Sequence, residues 1–514
     1  MNDADLKPSS SHITLDIEKE KESASHGQRT CNMDAEGSAS GPITKLAKDG
    51  HTVLIPQPSD DPEDPLNWSP FKKHLVLFII SWAALLPDYG SGSGAVTLLQ
   101  QAAIWNMNPD TVNHSQVGNV FMLGAGGIFV VALSAYFGRL PVLFWFLLLA
   151  SATAAWCAAA VTFESFMAAR ILNGFFSTVA QGGGLMFIND IFFFHERARK
   201  INIWACFIIV SPYLGPLLTA FIITTQKWNI AFWLFFAMCC IALILTVLFV
   251  PETYYNREHH DSSSNGSRIL TILGVHQRRV DLLKPNSPVD ALLRPFKAIF
   301  KLPVFLISFY YVLTFAWIVG ISSTLSIFLA PLYDFGPKQI GFFYFTPVVA
   351  TLLGEISGHW IHDLIAQQYI NKHNRSFEPE VRLRAIYIST PFMVAGMVLL
   401  GFSLENGYHY MLTSLGWGMY VFGIMITTVA INAYGLDSYP EGSGEVAAWI
   451  NMARTTGGFI ISYFQVTWAG AVGAKSSFGV QAAIVAGASL IPVGLMIWGK
   501  ALRERSGSLG FKTA

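Results

Sequence analysis

Residues 229–250 read NIAFWLFFAMCCIALILTVLFV, an unbroken apolar stretch without a charged side chain. A helix of about 20 predominantly apolar residues is long enough to cross the hydrocarbon core of a bilayer. Twelve runs of comparable length follow one another between Lys73 and Lys500, mostly separated by short loops. A chain of this kind is predicted to work inside or across a membrane and not as a soluble enzyme.

The predicted spans share low charge and a length close to one bilayer crossing. They cover residues 73–94, 116–137, 141–161, 166–188, 202–224, 229–250, 304–329, 340–361, 384–403, 411–433, 446–468 and 478–499. Asp190 with Trp204, and Asp437 with Trp449, occupy matching places in the first and the second six spans. This pattern indicates an all-α integral membrane protein made of two six-helix bundles.

The segments between and beyond the spans complete the predicted organisation. It comprises a disordered cytoplasmic tail at 1–70, a first bundle at 71–250, a cytoplasmic central loop at 251–302, a second bundle at 303–500 and a cytoplasmic tail at 501–514. The first tail is polar and lacks apolar periodicity, which is typical of disorder. Within the central loop, 289–301 (VDALLRPFKAIFK) has the pattern of an amphipathic helix on the inner membrane surface.

Basic residues predict the orientation. If the N-terminus is cytoplasmic, the outer loops hold only Lys227, Lys338 and Lys475, whereas the inner loops hold most of the other basic residues near span ends. The positive-inside rule then places both termini in the cytoplasm. We expect a multi-pass protein of the plasma membrane, with the vacuolar membrane as the alternative.

Composition and absent motifs exclude several classes. The chain is 52% hydrophobic and only 13% charged, against about 25% charged in soluble domains. Its net charge of zero argues against a nucleic-acid partner. The five cysteines lack metal or disulfide spacing, and no ATP-binding loop, zinc-protease or serine-hydrolase motif occurs. We expect no cofactor and no metal, and a monomer whose partners are lipid, a small organic molecule and protons.

Two carboxylates inside the spans are candidates for binding a substrate or a proton. Glu355 lies about three-quarters of the way along an apolar span, where a charge is costly and faces the protein interior or water. The alternative is a hydrogen bond that holds two helices together. Asp88 follows Pro87 in the outer part of the first span, and it either meets a cation or a proton or is solvated at the end of the span.

Other polar residues are predicted to line a central cavity. Arg170 either bridges to a carboxylate or extends to the outer surface, and Gln181 lies at near-helical spacing from it. The remaining cavity candidates are Tyr344, Asn432 and Tyr434. Aromatic side chains near a carboxylate suit an organic cation through cation–π contact. Arg454 is predicted to lie close to the inner surface in a structural role.

Charged residues at the inner span ends form a second candidate site. Arg139, Asp190, Glu196 and Arg197 either pair to close the cytoplasmic side or are solvated charges that set topology. The motif Asn113-His114-Ser115 is a glycosylation acceptor, predicted in the first outer loop.

Several motifs, taken in order, resemble those of the major facilitator superfamily. Asp64-Pro65-Leu66-Asn67-Trp68, Gly138-Arg139-Leu140-Pro141-Val142, Arg170-Ile171-Leu172-Asn173-Gly174 and Pro251-Glu252-Thr253-Tyr254-Tyr255 are similar to motifs of the fungal twelve-span drug:proton antiporters. The chain departs from them at Ala135, where that branch has Asp, and at Thr219-Ala220, where it has two glycines. The resemblance implies the major facilitator fold and a role for Arg170 in proton handling.

The resemblance and the span pattern together predict a secondary transporter that works by alternating access. We expect proton-coupled export of a cationic or amphipathic organic molecule. Uptake of polyamine-like or other organic cations, as in the yeast polyamine transporter group, is the alternative. A nutrient sensor built on a transporter fold is a third hypothesis, which the modest inner loop disfavours.

Overall fold

Twelve helices span the molecule in a computed structural model that describes residues 54, 56–255, 267–275, 288–372 and 378–510. They are α1 (Pro70–Trp105), α2 (Pro109–Phe137), α3 (Arg139–Ala159), α4 (Phe163–Ile191), α5 (Phe194–Ile223), α6 (Trp228–Phe249), α7 (Leu302–Tyr333), α8 (Pro337–Tyr369), α9 (Pro379–Glu405), α10 (Tyr410–Ser438), α11 (Ser443–Ser462) and α12 (Ala474–Ser506). The described residues contain no strand. The predicted all-α membrane fold is therefore confirmed.

Eleven of these helices are long and apolar enough to cross a membrane. The exception is α11, which carries Glu445, Asn451 and Arg454 and ends at Ser462, before the short helix Gln465–Val472. Polar residues within a predicted span mark it as facing the protein interior or a water-filled cavity and not lipid. The polar side chains of α11 thus make it the first place to look for a site.

Local sequence signals set where helices begin. The Ser69 hydroxyl accepts the N–H of Lys72 and Pro70 occupies the first position of α1, both of which favour a helix start. Asn108 accepts the N–H of Asp110 at 2.9 Å and so starts α2 at Pro109. This start is seven residues before the predicted span at 116, so α2 includes residues that were predicted to lie in a loop.

Two predicted tails are shorter than expected. Residues 1–53 lie outside the described part of the chain, but residues 56–69, predicted as disordered, pack against the inner side. Asp64 is fully buried, and the Tyr255 hydroxyl donates to Asp61 at 2.8 Å. The predicted C-terminal tail from 501 is also partly wrong, because α12 continues to Ser506.

The two bundles are joined more tightly on the outer side than on the inner side. The inner side is the one that carries the basic loops. One hydrophobic cluster runs through the second bundle and includes Phe166, Tyr213 and Trp228 from the outer part of the first bundle. The Ser326 hydroxyl of α7 also donates to the Ala95 carbonyl of α1 at 2.8 Å. A separate cluster around Val76 fills the inner part of the first bundle.

Helices α2 and α11 contact each other along their whole length. At the outer end the rings of His114 and Tyr463 stack with centroids 4.2 Å apart. At mid-depth a Cβ atom on Gly124 would stand 2.8 Å from Met452 and closer still to Thr455, so only glycine fits there. Small residues allow such close approach of helices in membranes. This contact forms one edge of the interface between the bundles.

The helix Pro288–Ile299 in the central loop lies beneath that edge, in line with the predicted amphipathic helix. It contacts both α2 and α11. Trp449 donates its indole N–H to the Pro295 carbonyl at 2.6 Å, and the Phe296 ring meets the Trp449 ring edge-on at 5.6 Å. Val289 and Leu293 of the same helix are exposed. The helix therefore touches both bundles and presents apolar side chains outward.

The loop charges generate a test of orientation. A thiol placed at Gln226, exposed in the loop after α5, should react with a membrane-impermeant maleimide added to intact cells. A thiol placed at Ser267, exposed in the central loop, should react only after the cells are permeabilised. Labelling of Ser267→Cys in intact cells would overturn the predicted topology.

Candidate functional site

A cavity of ≈ 250 Å³ lies between the two bundles. It extends from Tyr213 and Arg454 at its floor to Ile201 at the inner start of α5 and Leu436 at the inner end of α10. Ile201 and Leu436 lie at the inner ends of their helices, so the cavity is on the inner side of the ion pair's depth and reaches toward the cytoplasmic helix ends. The lining is mainly apolar and includes the aromatic side chains Trp204, Tyr213, Tyr311 and Phe315.

An ion pair at the floor of this cavity joins the two bundles. The Arg454 guanidinium of α11 lies 3.0 Å from the Asp88 carboxylate of α1, with Nη2 facing Oδ2. Gln181 of α4 donates to the same carboxylate oxygen at 2.6 Å. Arg454 also donates to the Asn451 side chain at 3.2 Å and lies over the Phe315 ring, 5.5 Å from its centroid.

The prediction for Arg454 was wrong. Its side chain lies at the cavity floor, opposite a carboxylate, and not close to the inner surface. Of the two alternatives for Asp88, the structure contradicts the solvated one, because the side chain is only 10% exposed. The sequence signal for Arg454 is its charge in the middle of a span. An unpaired charge in hydrocarbon is costly, so such a residue is expected to pair with an opposite charge.

A second, smaller pocket of ≈ 50 Å³ lies on the outer side of the ion pair. Asp88 and Arg454 form part of its wall, together with the polar side chains of Ser91, Gln116 and Ser322. Gln181 lines the inner cavity and not this pocket, whereas Arg454 lines both. The ion pair thus separates a polar outer pocket from the larger, more apolar inner cavity.

Arg170 connects α4 to α1 through hydrogen bonds. It neither bridges to a carboxylate nor extends to the outer surface, the two predicted alternatives. Its guanidinium donates to the backbone carbonyls of Gly90 at 2.5 Å and Ser91 at 2.9 Å, and it lies 5.4 Å from the centroid of the Phe232 ring. The side chain is fully buried, so it does not reach the outer surface. It therefore supports the helix segment that carries Asp88.

Of the four other residues predicted to line the cavity, two do so and two do not. Glu355 of α8 and Asn432 of α10 line the inner cavity. Tyr344 was wrongly predicted to line it, because it is buried beside Trp417 and donates to the Ser322 carbonyl at 2.8 Å. Tyr434 was also wrongly predicted, since it is buried away from the cavity.

The inner end of the first bundle carries a second polar cluster. Arg139 Nε lies 3.3 Å from Asp190 Oδ2, and the Tyr254 ring covers the guanidinium at 4.7 Å. The Thr253 hydroxyl donates to the same Asp190 oxygen at 3.0 Å. The predicted pair of Arg139 and Asp190 is thus brought together, and both members belong to the first bundle.

Glu252 is part of this cluster and was not predicted as a site residue. Its carboxylate accepts the backbone N–H groups of Arg139 and Leu140 at 3.0 Å each, at the start of α3. Burial raises the pKa of Glu252 above its usual value, although these N–H groups act in the opposite direction. Gly138 fits beside it with φ +95°, a conformation that favours glycine.

The remaining two gate candidates do not meet Arg139 directly. Glu196 is exposed near the start of α5, and Arg197 donates to the Asn189 carbonyl at 3.0 Å. A residue of the second bundle also interacts with the cluster: Glu445, at the start of α11, is within electrostatic reach of Arg139 and of Arg294 in the loop helix. Glu445 was also missed from the sequence.

Asn113 does not lie in an outer loop, so that part of the prediction was wrong. It lies within α2 and is 1% exposed. An asparagine that carries an oligosaccharide needs a surface position. Its burial therefore disfavours the predicted glycosylation.

Comparison with known proteins agrees with this architecture. The sequence profile of the Major Facilitator Superfamily matches residues 75–462. The chain is 26% identical over 432 residues to the MFS-type transporter hepF of Aspergillus oryzae, covering 78% of this chain and 84% of that protein. It is 23% identical to the efflux pump radE of Floropilus chiversii, covering 87% of this chain and 84% of the pump.

Among solved structures, the proton:xylose symporter XylE is similar in fold, with a TM-score of 0.61 at 15% sequence identity, over 84% of this chain and 96% of XylE. The chain belongs to the major facilitator superfamily. It is a multi-pass membrane transporter and not an enzyme.

The ion pair at the cavity floor generates a stability prediction. Asp88→Asn leaves the Arg454 charge without its partner and should lower the free energy of unfolding by about 3–5 kcal/mol, the range for breaking a buried pair. The double variant Asp88→Asn/Arg454→Gln removes both charges and should recover most of that loss. The midpoint of thermal unfolding of the purified protein measures both.

The pair of Lys500 and Glu378 is a matched control. Its atoms are also 3.0 Å apart, but its side chains are 62% and 35% exposed. Glu378→Gln should therefore change stability by less than about 1 kcal/mol. Equal effects of Glu378→Gln and Asp88→Asn would contradict the buried role of the Asp88 pair.

Proposed function

We propose that this transporter exports amphipathic organic cations in exchange for protons. The observation that carries the proposal is the ion pair of Asp88 and Arg454 at the floor of an aromatic-lined cavity, with one charge from each bundle. The ion pair attracts the two bundles to each other at that depth, and neutralising one of its members weakens this attraction. A proton on Asp88 would thus change both the charge of the site and the contact between the bundles.

The lining of the inner cavity suits the proposed substrate class. The rings of Tyr311, Phe315 and Trp204 offer apolar area and π-faces to a cation. Glu355 adds a carboxylate in the cavity wall on α8. A molecule with an apolar body and one positive charge can therefore contact aromatic rings and a carboxylate in the same cavity.

Protons have a separate place to act. The pocket on the outer side of the ion pair has room for a few water molecules, and it is bordered by Asp88, Gln116 and Ser322. A proton that arrives from the outer side would reach Asp88 there, while the substrate occupies the inner cavity. Two sites on opposite sides of one ion pair fit an exchange of proton for substrate.

The direction of transport draws on a relative. The Floropilus chiversii protein is named an efflux pump, and we extend export to this chain on that similarity. The alternative, uptake of polyamine-like cations, is less well supported by the geometry. A polycation needs several separate anionic contacts, and Asp88 is already neutralised by Arg454.

We also propose that the Arg139 cluster closes the inner side. Arg139 and Asp190 belong to the first bundle, so their pair alone cannot hold the bundles together. Glu445 of α11 supplies a charge from the second bundle within reach of Arg139. Even a small approach of Glu445 to Arg139 as the inner cavity closes would strengthen their attraction and stabilise the closed state.

Replacing Glu355 tests the role of the cavity wall. Glu355→Gln keeps the size of the side chain but removes its charge and its titration. Purified protein in liposomes with an imposed pH gradient, and rhodamine 6G as the probe cation, should show transport by the natural chain. The variant should transport the dye at least about fivefold more slowly, which corresponds to the loss of about 1 kcal/mol, and with a weaker dependence on pH.

Glu164→Gln is the matched control, since Glu164 is exposed near the start of α4 and the chemical change is the same. It should leave dye transport unchanged. If Glu355→Gln retains the rate and the pH dependence of the natural chain, Glu355 has no role in the substrate or proton step. Absence of gradient-driven dye movement by the natural chain would contradict proton-coupled cation export.

Arg139→Ala tests the proposed inner closure. Loss of the pair with Asp190 should lower the initial rate of dye transport by roughly fivefold while the protein still inserts in the membrane, which surface biotinylation measures. Arg139→Lys keeps the charge and should retain more of the rate. Full activity in Arg139→Ala would show that the cluster does not control closure.

A further inference from the structure

The seam between α5 and α8 is open on its inner half, unlike the seam between α2 and α11. On α5 the side chains at 213, 206 and 202 follow helical spacing toward α8. Tyr213 is buried and faces Thr351 of α8, so the seam is closed at that depth. Cys206 and Asn202, two and three turns farther inward, are both exposed, and of the two only Asn202 lines the inner cavity.

Glu355 lies at the point where the seam opens. It is one turn inward from the buried Thr351 on α8, it lines the cavity, and it is close enough to Cys206 for the two groups to interact electrostatically. A cavity-lining carboxylate and an exposed cysteine thus lie near each other at this depth.

The depth of the opening places it beside lipid. Cys206 is six residues beyond Lys200, the last charged residue at the start of α5, which corresponds to about 9 Å along the helix. Three exposed side chains beside the seam are apolar, namely Ile203 on α5 and Leu352 and Ile356 on α8, whereas the exposed Asn202 is polar. Apolar exposure at this distance from the charged helix end is typical of contact with acyl chains.

We propose that the inner half of the α5–α8 seam is a lateral portal through which an amphipathic organic cation passes from the inner leaflet into the cavity, with Glu355 at its threshold. The proposal rests on the cation transport proposed above and adds the route. Ile203, Leu352 and Ile356 accommodate the apolar body at the membrane face. The Glu355 carboxylate meets the positive group as it leaves the headgroup region, and the aromatic rings of the cavity lie directly behind.

The alternative is an aqueous funnel from the cytoplasm, and the environment of Cys206 distinguishes the two routes. The protein is prepared with alanine at the four other cysteines, labelled with a nitroxide at Cys206 and reconstituted in liposomes. Ile244→Cys, which is lipid-facing on α6, and Asn432→Cys, in the cavity wall, serve as reference sites in the Cys206→Ala background. Collision with oxygen reports lipid contact, and collision with a water-soluble nickel chelate reports water.

The nitroxide at Cys206 should resemble the label at Ile244→Cys, with more oxygen collision than nickel collision. A nickel-dominated signal like that of Asn432→Cys would overturn the portal in favour of an aqueous funnel. Because this measurement needs no turnover, it can contradict the portal while cation export stands. It can equally support the portal if the transport assays fail.

The charge preference of the portal is tested with two membrane-dissolved quenchers. Bimane attached to Cys206 is quenched either by a hexadecyl-dimethylammonium nitroxide or by 5-doxylstearate, which is anionic. The ratio of cationic to anionic quenching should be about fivefold higher at Cys206 than at Ile244→Cys, the factor expected for one ion pair. In Glu355→Gln the ratio at Cys206 should fall to the Ile244→Cys value. Equal ratios at the two sites in proteins that retain Glu355, or a ratio at Cys206 unchanged by Glu355→Gln, would show that Glu355 does not attract the cation at the portal.

Discussion

A charge in hydrocarbon is tolerated when it finds an opposite charge, and Asp88 and Arg454 find each other across the two bundles. Neither helix supplies the partner on its own. The cost of separating the charges therefore acts directly on the relative position of the bundles. Gln181 and Asn451 add hydrogen bonds to the pair from opposite sides, and the inner cavity and the outer pocket both end at it.

Arg170 shows a different way to bury a charge in the same bundle. Its guanidinium is surrounded by backbone carbonyls and an aromatic ring and not by a carboxylate. It thereby stiffens the part of α1 just beyond Asp88, and the ion pair rests on a fixed helix segment. One arginine shapes the scaffold while the other completes the site, although the two look alike in the sequence.

The spans were predictable because the bilayer imposes both their length and their apolarity. Errors came where another interaction sets the boundary. The Asn108 cap starts α2 at Pro109 and carries Asn113 into the helix, although the apolar run begins later. Residues 56–69 are polar, yet the buried Asp64 carboxylate and the hydroxyl of Tyr255 hold them in place. Contacts of this kind join residues far apart in sequence and leave no periodic signal.

The site was predictable residue by residue and not as an assembly. Asp88, Gln181, Glu355 and Asn432 were identified because polar groups are conspicuous in apolar spans, and all four border the cavity or its floor. Arg454 was placed too close to the inner surface because the apolar run does not show where α11 begins and ends. Tyr344 was misplaced because distance along a span does not reveal which face a side chain occupies. Glu252 lies in a motif that resembles the family, but its contacts with the start of α3 join residues far apart in sequence, so its place in the cluster was missed. Glu445 was missed because its proximity to Arg139 also depends on the fold.

The unequal edges of the bundle interface have a mechanical consequence. On one edge α2 and α11 touch throughout, and the loop helix Pro288–Ile299 connects with both beneath them. If the bundles rotate about that edge, each residue moves by an amount proportional to its distance from the edge. The displacement is then smallest beside the covalent connector and largest at α5 and α8. A modest rotation is thereby amplified on the far side of the molecule, while the chain that joins the halves hardly stretches.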